Sequence, residues 1–277
     1  MFCSFQGFDK IQTLGSLQSL LNTPLDESEW GILALDLDQT LIQAKPTLGD
    51  EHFYRFLVAQ NSARGIPSDA HYQWTVKIRS NIQYESCEAV EKINQIIQCF
   101  KNQSWSVQIL TSRGVDMKEI TEKHLEQSKI NLSIEDVIFK ERHGDGTGKL
   151  LKKDESLQKW MSTQPHWKNK ETFRIIFLDD SEKYCNEVAR VAEGVKKASV
   201  RCFHYIGSLP CSELSEAQMK QLIVQLHAYR EGQSIPYEYD STQLEKAKGC
   251  LGIDKIDAET LYTVMMKIAE LECFAFQ

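Results

Sequence analysis

Residues 30–42 read WGILALDLDQTLI. Ile32, Leu33, Ala34 and Leu35 lead without a polar break into Asp36 and Asp38, and Thr40 follows two residues later. A strand with one wet face alternates apolar and polar residues, whereas an unbroken run belongs to a strand covered on both faces, as in the middle of a parallel sheet. Ligands of such sheets sit at the carboxyl ends of the strands. Two carboxylates placed there repel each other and lose hydration unless a cation or proton is shared, so the pair is costly as structure alone. The stretch predicts an α/β chain whose central strand ends in a functional site.

A second run of this kind lies far downstream. Residues 173–180, FRIIFLDD, again close an apolar segment with paired carboxylates, Asp179 and Asp180. Helix capping by Asp180 and Ser181 accounts for at most one of them. Two such pairs converging on one sheet edge make a hard, oxygen-rich site of the type that suits Mg²⁺. Between the runs, apolar spacing predicts a helix over 88–101, a strand over 107–110, a helix over 116–128 with Asp116 and Glu119 spaced as a capping box, and a strand over 137–139. A short helix over 10–21 should precede the first run, and helix 182–192 and strand 200–205 should follow the second.

DLDQT resembles the first motif, DxDxT, of the haloacid dehalogenase (HAD) superfamily. LTSR (110–113) resembles its second motif, and FLDD its fourth. The resemblance implies a three-layer Rossmann-like core with a parallel sheet over 1–43 and 85–205. The insert 44–84 would be a small, helical C1-type cap, with its aromatics Phe53, Tyr54, Phe56, Tyr72 and Trp74 forming its own core. It further implies an aspartate nucleophile, Asp36, and a general acid and base, Asp38. Thr111, with Ser112 and Arg113 beside it, would bind the phosphoryl group, and Mg²⁺ would be held by Asp36, the Asp38 carbonyl, Asp179 and Asp180. The family also places a lysine near the start of a helix. Lys149, Lys152 and Lys153 compete for that role, and Lys153 is favoured because Leu157, Trp160 and Met161 follow it at helical spacing. Residues 143–149, HGDGTGK, do not form a phosphate-binding P-loop, since His143 stands in place of the first glycine and Leu150 in place of Ser or Thr.

These features predict a Mg²⁺-dependent phosphatase acting on a small phosphometabolite or a phosphoprotein; the alternative is a catalytically idle HAD scaffold that binds protein partners. Residues 206–277 carry helical patterns, including a Ser215–Gln218 capping box, but no chemical motif, and offer a surface for a protein partner. The stretch IIFLDDSEKYCNEV is similar to a poorly characterised family of HAD-like proteins from bacteria living inside host cells. With 277 residues, 42% hydrophobic content and a net charge of −7, the chain can bury a sizeable core and is not built as a nucleic-acid or anionic-membrane surface. The eight cysteines show no ligand spacing, which fits free thiols in a reducing compartment. No apolar stretch matches a membrane span and no secretory pattern opens the chain, so a cytoplasmic location is expected, with delivery into a host cell left open.

Overall fold

The computed structural model describes residues 8–22, 24–45, 47–67, 70–141, 150–195, 197–207 and 213–274. Its strands are β1 (Asp9–Ile11), β2 (Glu29–Leu35), β3 (Ile42–Ala44), β4 (Tyr84–Ser86), β5 (Ser106–Gly114), β6 (Val137–Lys140), β7 (Thr172–Asp179) and β8 (Ala198–Tyr205). Six of them form one parallel sheet in the order β1-β8-β7-β2-β5-β6. Helices flank this sheet, the arrangement of a Rossmann-like core. The strand that leads into Asp36 is central: Leu35 of β2 pairs with Ile109 of β5 on one side and Leu178 of β7 on the other.

That position explains the unbroken apolar run. Successive side chains of a strand point to opposite faces. Trp30, Ile32 and Ala34 pack in one cluster with Leu157, Met161, Ile175 and Phe177, while Leu33 and Leu35, pointing the other way, are equally inaccessible. Gly31 lies where a Cβ would meet Leu25 Cδ1 and Trp105 Cδ2, each at 2.6 Å. Gly31→Ala should therefore overpack this face and cost about 1–3 kcal/mol, read as a lower urea midpoint at constant m-value. An unchanged midpoint would mean that Trp105 yields freely.

The chain divides into two compact units, one from the described residues of 1–43 and 85–209, the other from those of 44–84 and 210–277. The chain passes between the units through β3 and β4, which form a separate two-stranded sheet. The insert 44–84 and the C-terminal helices, expected as two elements, fall in this one second unit. Leu48 donates its backbone N–H to Gln225 Oε1 at 2.8 Å, Thr47 Oγ1 donates to Gln221 at 2.7 Å, and Tyr262 Oη donates to Asn61 Oδ1 at 2.8 Å. Gln225 and Asn61 are fully buried, and a buried amide is stable only when its partners are in place. The helix Glu216–Arg230 is buried at every position from 222 to 228, so it is enclosed on all sides. Phe53 and Trp74 of the insert meet edge to face at 5.9 Å.

Two local expectations change. The predicted helix from Lys10 starts only at Leu14, as the 3-10 helix Leu14–Asn22, because Asp9–Ile11 pairs with Phe203–Tyr205 at the sheet edge. Its first N–H is capped from a distance, Leu14 donating to Glu88 Oε1 at 2.8 Å. Asp116 and Glu119 form no capping box. A 3-10 turn, Val115–Met117, intervenes, and helix Lys118–Ser128 begins without a side-chain cap. Among the described residues no helix is long and apolar enough to cross a membrane, and Cys99, Cys185, Cys202 and Cys250 are free thiols.

Candidate active site

Adjacent parallel strands end side by side, so β2 and β7 bring together residues that are remote in the chain. Asp36 follows the last residue of β2, and its N–H donates to Leu178 O at 2.8 Å, extending the ladder. Asp179 closes β7, with Asp180 next to it. Ligand oxygens of Asp36, Asp179 and Asp180 all lie within 4.8 Å of one another, and all three residues are buried.

Lys153 is the first residue of helix Lys153–Thr163 and is fully buried. Its Nζ donates to Asp36 Oδ1 at 2.5 Å and to Asp179 Oδ2 at 2.6 Å. The helix start is held in place from helix Glu182–Ala189: Lys153 N–H donates to Glu187 Oε2 at 3.3 Å. Lys152, at the N-cap, is exposed, and its N–H donates to Glu155 Oε2 at 2.6 Å. The helical spacing of Leu157, Trp160 and Met161 puts Lys153 at this position. Lys149 and the glycine-rich segment lie outside the described residues.

The remaining oxygens are also engaged. Asp179 Oδ1 accepts from Ser181 N–H at 2.8 Å, so Asp179 uses one oxygen for the lysine and one for the backbone. His204 of β8 places Nε2 at 3.0 Å from the Asp180 carbonyl oxygen. Ser181 makes no side-chain cap at the following helix. The capping account therefore fails for Ser181.

Thr111 on β5 is fully buried, and its Oγ1 accepts from Arg113 N–H at 3.1 Å. Ser112 is half-buried beside it. Arg113 has a different partner from the expected phosphoryl group. Its Nε and Nη2 donate to the two oxygens of Asp38 at 2.9 and 2.7 Å, a bidentate pair. Nη1 donates to Thr121 Oγ1 at 3.0 Å and lies 3.0 Å from His124 Nδ1. Arg113 is 3% exposed, so Asp38 is held by a buried, fixed arginine. Sequence reasoning did not find this clamp, because Thr121 and His124 read only as parts of a helix. Gln39, between Asp38 and Thr40, has φ 64°. A left-handed non-glycine at such a turn is a strain that tertiary contacts must hold. Leu37 O accepts from both Leu41 and Ile42 N–H, and Ile42 O accepts from Gln39 N–H.

Burial and the charge of Asp179 push the Asp36 carboxyl up to about 8, against the opposing pull of Lys153. Burial also pushes Asp179 up, to about 6, with Lys153 again opposing. Lys153 stays charged: two carboxylates outweigh its own desolvation and raise it above the ordinary lysine value. One ammonium thus faces three buried acids, and the excess negative charge that their full ionisation leaves on hard oxygen donors fits a divalent cation.

A carboxyl raised in the folded state stabilises while protonated and loses that contribution as pH rises from the unfolded value through the folded one. Metal-free protein should lose thermal stability between about pH 5 and about pH 8.5, and Mg²⁺ should restore more at the upper end than at about pH 6. A melting temperature in chelator that rises across this interval would contradict the charge excess.

A parallel α/β sheet with a buried lysine and three carboxylates at neighbouring strand ends defines this protein as a Rossmann-like α/β chain with an acidic strand-end centre. The family model "Protein of unknown function (DUF2608)" matches residues 16–159, more than half of the 277 residues, and the chain belongs to that family. The matched region includes Asp36, Asp38, Thr111 and Lys153 and stops before β7. No curated protein and no solved structure matches the chain.

Proposed function

We propose that the protein is a Mg²⁺-dependent phosphohydrolase of HAD type that cleaves phosphate monoesters through an aspartyl-phosphate. The observation that carries this reading is Lys153 Nζ, buried and bonded to both Asp36 at 2.5 Å and Asp179 at 2.6 Å. As mere structure, a buried lysine between two carboxylates is often no better than an apolar replacement. As a catalytic device it offsets the charge of a nucleophile that must approach an anionic ester.

Asp36 forms a bond to phosphorus as the bond to the leaving oxygen breaks. Lys153 neutralises charge that develops on the transferring group, and Thr111 supplies a hydroxyl to one of its oxygens. Asp38 gives a proton to the leaving oxygen. It then takes one from the water that attacks phosphorus and releases Asp36. Arg113 orients Asp38 throughout. Mg²⁺ held by Asp36, Asp179, Asp180 and the Asp38 carbonyl would supply further charge stabilisation for the phosphoryl oxygens.

An arginine favours the ionised form of its carboxylate partner, so proton donation by Asp38 is the more demanding of its two tasks. Aryl phosphates, whose phenolate leaves with little proton assistance, are therefore the substrates of choice for a first assay. Hydrolysis of phenyl phosphate that requires Mg²⁺ and stops with chelator is the expected result. No phosphate release from a panel of aryl phosphates, phosphometabolites and phosphopeptides would overturn the reading.

A further inference from the structure

Tyr184, on helix Glu182–Ala189, gathers three ammonium groups around its ring. Lys153 Nζ lies 4.6 Å from the ring centroid, Lys140 Nζ 4.8 Å and Lys183 Nζ 5.3 Å. With every group this close to one point, no two can be more than about one Debye length apart, so salt screens their repulsion only in part. Lys153 is spoken for by Asp36 and Asp179. Lys140 and Lys183, by contrast, have no hydrogen bond and no ion pair among the described residues.

A single cation on an aromatic ring is ordinary packing. Three around one ring, two of them with no side-chain hydrogen bond or ion pair among the described residues, go beyond that. Lys140 is half-buried at the last residue of β6. Burial and the like charge of Lys153 lower its affinity for a proton, while Glu187 and Asp36 partly offset this. Burial raises the Tyr184 hydroxyl above its ordinary value, so the ring stays neutral at physiological pH and adds no anion. β6 is the neighbour of β5 at the carboxyl edge where the acidic centre lies. With Lys140 half-buried and Lys183 exposed, the arrangement is a cluster of positive charge, partly open to solvent, beside the reacting carboxylate.

We propose that Lys140 and Lys183, assembled on Tyr184 next to Lys153, form an anion-binding subsite for a second negatively charged group on the substrate. This rests on the phosphohydrolase reading and narrows it: the substrates are small phosphate esters whose leaving portion carries a carboxylate or a second phosphate. A neutral leaving group makes no ion pair with the two lysines. An anionic one completes the charge balance, and fixes which end of the molecule faces Asp36.

The test is binding, which does not depend on turnover. Methylphosphonate, phosphonoacetate and 3-phosphonopropionate would be titrated calorimetrically in excess Mg²⁺ into the full chain, its K140Q/K183Q variant and its K140R/K183R variant. In wild type at least one carboxylated ligand should bind about tenfold more tightly than methylphosphonate, the effect of one well-placed charge pair. That ratio should fall to near unity in the glutamine variant and return in the arginine variant, a rescue that a merely structural role would not give. Equal affinities in wild type, no binding of any of the three, or a ratio unchanged by the glutamines would overturn the subsite. Hydrolysis of phenyl phosphate is scored separately. Turnover without the affinity ratio removes the subsite and keeps the phosphatase; the ratio without turnover keeps the subsite and removes the hydrolysis.

Discussion

Asp36→Asn is expected to reduce Mg²⁺-dependent turnover to background while leaving the metal-free protein as stable as wild type, or more so, at about pH 8. The amide keeps the side-chain volume but cannot form the acyl-phosphate, so the first bond to phosphorus is never made. Stability moves the other way because ionised Asp36 is a burden on the fold. Its carboxyl is pushed up to about 8 by burial and by Asp179, so replacing it with a neutral group removes repulsion that Lys153 offsets only in part. Loss of function with gain of stability is the signature of a residue kept for chemistry. Thermal melts in chelator, beside a phosphate-release assay, check both halves. Retained Mg²⁺-dependent turnover in Asp36→Asn would falsify the aspartyl-phosphate mechanism.

Lys153→Met should lower kcat by about 10²-fold or more, as loss of other transition-state charge stabilisers does. It should also destabilise the fold, since Asp36 and Asp179 would face each other in a buried site without their shared cation; breaking a buried pair in this way costs roughly 3–5 kcal/mol. The two losses separate in the double variant. Lys153→Met with Asp36→Asn should regain stability, because one carboxylate of the repelling pair is gone, and should regain no activity. Lys152→Met, at an exposed N-cap position, should behave as wild type. If Lys153→Met keeps full activity, the buried lysine is structural and the catalytic reading loses its main support.

Much of this site was legible in the chain because its signals are local. The runs before Asp36 and Asp179 are unbroken because β2 and β7 lie inside the sheet, and the period of Leu157, Trp160 and Met161 is enough to place Lys153 at a helix start. A Ser215–Gln218 capping box also reads directly, and the structure shows both of its bonds, Gln218 N–H to Ser215 Oγ at 3.3 Å and Ser215 N–H to Gln218 Oε1 at 2.9 Å. The same signal lay unread at Asp240, whose side chain accepts from Gln243 N–H at 2.8 Å to open helix Ser241–Leu251.

What periodicity and motif determined, then, is which side chains end the central strands and which lysine opens a helix, since both depend on residues only a few positions apart. Tertiary structure alone decided the partners. Arg113 turns to Asp38 because Thr121 and His124 fix its other edge. Lys140 joins Lys183 on Tyr184 because β6 ends beside the site. The insert and the C-terminal helices become one unit because Asn61 meets Tyr262, and Leu48 meets Gln225, across more than 170 residues of chain. No local pattern encodes such pairings: a buried polar group is satisfied by whatever the fold brings within about 3 Å, and sequence distance does not enter that condition.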